Sequence, residues 1–116
     1  MREIAISHRP DIIVEYDFEY TPPNSAAYAG YNIFIGKYED KELEEISFWH
    51  ELGHIISGSG MRRTCFMTTI SQEGLAWEVG LELAAQHGRI YDYYDPAIVW
   101  ARKQLKTYRK RAENWR

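Results

Sequence analysis

A single cysteine, Cys65, occurs among the 116 residues, so no disulfide can close within the chain and a reducing compartment is the expected setting. No apolar run approaches the roughly 20 residues that a membrane span requires. The first residues, Met1-Arg2-Glu3-Ile4-Ala5-Ile6-Ser7, lack the apolar core of a signal peptide. A cytoplasmic location without a membrane partner is therefore expected. Internal repeats, low-complexity stretches and linkers are missing too, and 1–116 reads as a single domain. With 45% hydrophobic residues it can bury a modest core. A net charge of −3 argues against general nucleic-acid binding as the main task. Histidine is also scarce, with four in the chain, yet two of them stand four positions apart.

Those two belong to His50-Glu51-Leu52-Gly53-His54. On a helix, positions i and i+4 lie roughly 5–6 Å apart between Cβ atoms, so both imidazoles can reach one metal ion. Glu51 is rotated about 100° from them and is free to hold a water for activation rather than the metal. Short patterns of this kind arise by chance, and the bland alternative is a pair of ordinary helix histidines. Context supports the helix. Asp40 is a plausible N-cap, Glu42, Glu44 and Glu45 suit the first turns, and Gly58 to Gly60 supplies a stop, which predicts a helix over 41–57. Ile46, Trp49, Gly53 and Ile56 form one apolar stripe and Phe48, Leu52 and Ile55 another, so this helix should be enclosed on most sides.

Downstream runs Ser71-Gln72-Glu73-Gly74-Leu75-Ala76-Trp77-Glu78. Ser71 can cap a second helix over about 72–87 that Gly88 ends. Glu73, Ala76, Gly80, Ala84 and His87 share one face of it, and the small residues would let it lie close against the first helix. Glu73 is then a third ligand. Glu78 competes for that role, but it falls with Glu82 on an edge suited to solvent. These motifs resemble the gluzincin branch of the zincin metallopeptidases, whose His-Glu-x-x-His is followed by a helix carrying Glu, often in Glu-Gly-[Phe/Leu]-Ala. The likeness covers roughly residues 28 to 90. It points to minimal gluzincins or to the ImmA/IrrE-like metallopeptidases of phages and mobile elements, although the latter usually place Ala directly after the ligand Glu, where Gly74 and Leu75 stand here.

The resemblance implies an α+β, minimal zincin-like fold: a small N-terminal antiparallel or mixed sheet, the active-site helix, the Glu73 helix and a C-terminal amphipathic helix. It implies one zinc per chain on His50, His54 and Glu73, with Glu51 as general base in the hydrolysis of a peptide or protein substrate. The alternative is a catalytically latent or non-catalytic zincin-fold module with a regulatory or binding role. Strand candidates are Ile4 to Ser7, Ile12 to Tyr20 and Tyr31 to Tyr38, broken by Thr21-Pro22-Pro23-Asn24-Ser25. By the resemblance, Tyr31 to Gly36 is the edge strand that pairs with an extended substrate; an ordinary internal strand is equally compatible with its residues.

Lesser candidates remain. Ser59 to Ile70 reads as a loop whose Arg62 or Arg63 can serve a substrate carboxylate or an oxyanion, and Cys65 there reads as a bystander. Tyr91, Tyr93 and Tyr94 join Arg62 as candidates for oxyanion stabilisation. His87 is a candidate for supporting a ligand or for a cation at a helix C-terminus. Residues 101 to 116 hold seven Lys or Arg against one acid, Glu113. Ile98, Ala101, Leu105, Tyr108, Ala112 and Trp115 recur at helical spacing within that basic segment. The helix they predict after Pro96 is expected to dock on the acidic body, with a nucleic-acid-facing or partner-binding patch, or a removable cover over the site, as the alternatives.

Overall fold

Asp40 and Gly58 bracket the helix on which the other elements are arranged. The computed structural model of the chain describes residues 1–58 and 66–115, with the backbone alone at 66–70, 108, 109 and 111–115. Its elements run α1 (Arg2–His8), β1 (Ile13–Glu15), β2 (Ala26–Ala29), β3 (Asn32–Ile35), α2 (Lys41–Ser57), α3 (Phe66–Gln86) and α4 (Pro96–Trp115), an α+β fold. Among the described residues no helix is long and apolar enough to cross a membrane.

The Asp40 carboxylate accepts from the backbone N–H groups of Glu42 and Leu43 at 2.9 and 3.4 Å, which satisfies donors that the first turn leaves open. At the other end Gly58 takes φ 68°, a left-handed conformation that a side chain would disfavour, and its N–H bonds the Ile55 carbonyl. Between these caps both apolar stripes are used. Phe48, Trp49, Leu52 and Ile55 join Ile33 and Ile35 of the sheet, Ala5 of α1 and Leu83 and Ala84 of α3 in the main core. Ile46 faces the other way, into a second core with Trp77, Ala97 and Ala101.

Helices α2 and α3 cross through reciprocal glycines. A Cβ placed on Gly53 would overlap the Ala76 carbonyl oxygen, and one on Gly80 would overlap the Trp49 carbonyl oxygen. Backbone therefore touches backbone at the crossing, and the Glu73, Ala76, Gly80 and Ala84 face of α3 lies against α2. The predicted start of α3 near 72 is not observed. The helix already runs from Phe66 through Ser71, so Ser71 is an interior residue and not a cap. Once a helix exists, extending it gains one hydrogen bond for each residue fixed, which outweighs the few tenths of a kcal/mol by which Thr68, Thr69 and Ile70 disfavour it. Of the expected loop, 66–70 is helical, and the rest, 59–65 with Arg62, Arg63 and Cys65, lies outside the described residues.

The sheet is mixed, in the order β1-β3-β2, with β1 parallel and β2 antiparallel to β3. Tyr31 to Gly36 therefore holds the central strand and not an edge: β3 is hydrogen-bonded on both sides, and its Ile33 and Ile35 are buried. The edge beside α2 is β2. Ile4 to Ser7 is helical where a strand was expected. The alternation of Ile4 and Ile6 is misleading, because Met1, Ile4 and Ala5 pack on the core at helical spacing while Ile6 is exposed. Of Ile12 to Tyr20 only Ile13–Glu15 pairs; Asp17 at φ 50° turns the chain, although the Phe18 N–H still reaches the Ile35 carbonyl.

Helix α4 opens with Pro96 at its first position, and Asp95 accepts from the Ala97 N–H at 2.9 Å. Ala97 and Ala101 are buried, Ile98 and Trp100 half-buried, so the helix docks on the body as its apolar stripe requires. The side chains of Tyr108, Ala112 and Trp115 lie outside the described residues. The segment leading to α4 is held to α2 where Arg89 Nε and Tyr91 Oη both donate to the Glu45 carboxylate, at 3.0 and 2.9 Å.

Substituting alanine at Gly53 or Gly80 pushes a methyl group into facing backbone, so each variant should lose at least about 1–3 kcal/mol of unfolding free energy in urea. Gly74→Ala on the same helix meets open space and serves as the control. Deleting the chain from Asp95 onward re-exposes Ile46 and the Trp77 ring, at roughly 1.5–3 kcal/mol for each large side chain. A melting temperature several degrees lower is expected, and an unchanged transition would assign α4 no part in the stability of the body.

Candidate metal centre

One turn of α2 presents His50 and His54 on a single face, and the glycine crossing brings Glu73 of α3 opposite them. Glu73 Oε2 lies 2.8 Å from His50 Nε2 and 3.1 Å from His54 Nε2. Ligand atoms of the three residues all fall within 4.8 Å of one another, so this group could hold a metal ion. Glu73 is 3% exposed and His54 2%. A carboxylate taken this far from water needs charge-assisted partners, and both imidazoles supply them.

Each imidazole is held by an aromatic neighbour. His50 lies flat on Trp77, with ring centroids 4.0 Å apart and planes 1° apart, and His54 stacks on Tyr28 of β2 at 4.6 Å and 21°. Burial pushes the His50 imidazole down, toward the neutral form whose lone pair is available. For Glu73 burial acts the other way, but the hydrogen bonds from His50 and His54 overcome it and hold the carboxyl well below the usual carboxylate range. Neutral imidazole and ionised carboxylate are the forms in which these groups bind metal. Two nitrogens and one oxygen make a donor set that could hold a divalent metal ion.

Glu51 stands beside this group and lines the same cleft. Its Oε1 is 3.6 Å from His50 Nδ1, and the side chain is buried. Ala26, Ala27 and Tyr28 of the edge strand line a cleft together with His50, Glu51, His54 and Glu73. A second cavity, of about 190 Å³, opens on the other side of His50 and Glu51, between Ser25, Tyr38, Ser47, Trp77, Trp100 and Gln104. In its wall Tyr38 Oη donates to Ser47 Oγ at 2.9 Å, and burial pushes the Tyr38 phenol up, which keeps it a donor.

The other sequence candidates lie elsewhere. Glu78 and Glu82 are exposed and take no part in the three-residue group. His87 is not part of it either: its Nε2 is 2.8 Å from His8 Nε2, and its ring packs on Trp49. Tyr91 is committed to Glu45, and Tyr93 and Tyr94 are exposed on the surface, Tyr93 carrying the Arg102 guanidinium over its ring. Sequence reasoning passed over Trp77 and Tyr28. Trp77 was within reach of it, since position 77 is one helical turn from Glu73 on the same side. Tyr28 sits on a strand whose neighbours only the fold reveals. No protein-family model, curated protein or solved structure matches the chain.

Glu73→Ala should weaken divalent-metal binding, measured by competition with a chromophoric chelator, by more than the roughly 10–100-fold that loss of a supporting outer group costs. Glu78→Ala should leave it unchanged. Retained binding without Glu73, or loss of it without Glu78, would place the ligand elsewhere.

Proposed function

We propose that the chain is a zinc-dependent peptidase of the gluzincin kind, with His50, His54 and Glu73 as ligands and Glu51 as general base. The observation that carries this reading is the conjunction of a buried His, His, Glu group with a separate carboxylate beside it, at the foot of an edge strand. Glu51 is not one of the three grouped residues yet lines the cleft beside them, the position a general base would take. Zinc held by the three ligands would supply Lewis-acid polarisation of a peptide carbonyl and acidify a water toward a pKa of about 7.

The remaining chemistry belongs to the chain. Glu51 accepts the water's proton on a carboxylate oxygen as the carbonyl is attacked, then returns it to the departing amine nitrogen. Trp77 and Tyr28 hold the two imidazole planes, so the ligand atoms need little rearrangement. Among the described residues β2 pairs only with β3, so its other edge offers backbone donors and acceptors along the cleft. An extended peptide can add to that edge as a further strand, and this brings its backbone past Glu51.

Glu51→Gln can still hydrogen-bond a water but cannot take its proton. Peptide hydrolysis should fall by about 10²–10⁴-fold while zinc content and the unfolding transition stay as in the parent. Equal turnover by parent and variant would rule out this mechanism. If the parent binds zinc but cleaves no peptide in a diverse library, the non-catalytic binding-module reading takes its place.

A further inference from the structure

We infer that the cavity beside Glu51 is a side-chain subsite that selects an uncharged hydrogen-bonding residue, glutamine or asparagine, next to the bond attacked. The inference rests on the peptidase reading and deepens it. At about 190 Å³ the cavity is smaller than the roughly 300–1,000 Å³ of pockets that enclose a whole small molecule, so it fits a single side chain. His50, Glu51 and Ala26 belong both to its wall and to the wall of the metal cleft. A peptide lying along β2 and past Glu51 therefore has a side chain at its entrance.

The composition of the wall decides what enters. Ser25, Tyr38, Ser47 and Gln104 are all neutral and hydrogen-bonding, and Trp77 and Trp100 stand edge to face beside them, 6.5 Å apart. Ser47 is 3% exposed and accepts from Tyr38, while its own hydroxyl proton has no acceptor among the described residues. The carbonyl of an amide side chain is such an acceptor, and Gln104 on α4 brings a complementary amide. An alkyl side chain would leave the buried Ser47 hydroxyl proton unpaired, and sites built for hydrogen bonds reject substrates that lack them. An acidic side chain meets no lysine or arginine among the described lining residues and faces Glu51. A basic one would pair with Glu51 and draw it from the metal cleft, and the Trp77 face that could attract a cation already carries His50.

Two readouts on the full chain test this. Tryptophan fluorescence of Glu51→Gln is titrated with otherwise identical hexapeptides carrying Gln, Leu, Glu or Lys at the central position, and cleavage of the same peptides is followed with the zinc-loaded parent. The Gln peptide should bind about tenfold more tightly than the Leu peptide, the worth of one hydrogen bond, and be cleaved in preference to the other three. Gln104→Leu, a change at an exposed helical position, should shrink that margin. Equal binding and equal cleavage of all four peptides, or a margin untouched by both Gln104→Leu and Ser47→Ala, would overturn the subsite. Selective binding without any cleavage by the parent would overturn the peptidase reading and leave the subsite standing; cleavage without selectivity would do the reverse.

Discussion

The meeting of His50, His54 and Glu73 depends on how closely α3 can approach α2. A histidine pair on one helix is a common arrangement with little meaning until a third group arrives from elsewhere. The arrival here requires two backbones to touch, and Gly53 and Gly80 make that possible from opposite sides. Gly53 lies inside the His-Glu-x-x-His segment itself, one residue before His54. The same five residues thus supply two of the three candidate ligands, the neighbouring carboxylate of Glu51 and the hole into which the neighbouring helix fits. Even one methyl group at either glycine would hold Glu73 away from the imidazoles.

Close approach also creates an electrostatic demand. Glu73 is buried as an anion and needs compensation from both histidines, and those histidines are themselves drawn from water by Trp77 and Tyr28. The ring planes of both histidines are thus fixed by stacking, one from α3 and one from β2. Glu51 is set off from His50 by the 100° step of α2, so the carboxylate next to the group on α2 and the carboxylate inside it on α3 sit in different environments.

Much of this was legible in the sequence where the determinants are local. Asp40 and Gly58 mark the ends of α2 as caps do anywhere, and the run of small residues after Glu73 announces a face for close packing. Separating Glu73 from Glu78 needed nothing more than helical phase. Elements whose character depends on distant partners were not legible in this way. Ile4 and Ile6 alternate as in a strand, and only the packing of Met1, Ile4 and Ala5 on the core shows a helix. The resemblance implies an edge strand at Tyr31 to Gly36, whose residues suit an internal strand equally well, but edge and centre are properties of pairing order: β1 joins β3 across the whole of β2, a nonlocal choice that no window of residues contains. Tyr28 became visible for the same reason only in the fold. The zinc and peptidase readings still rest on motif and geometry together.

Trp77 belongs to two assemblies at once. One face supports the His50 imidazole, and the ring is also a member of the small core formed by Ile46, Ala97 and Ala101. Docking of α4 and ordering of the ligand set consequently share a side chain, and linkage makes such sharing reciprocal: any factor by which a seated α4 raises metal affinity is the factor by which bound metal raises the population of seated α4. The C-terminal helix would then report on occupancy of a centre to which it contributes no ligand among the described residues.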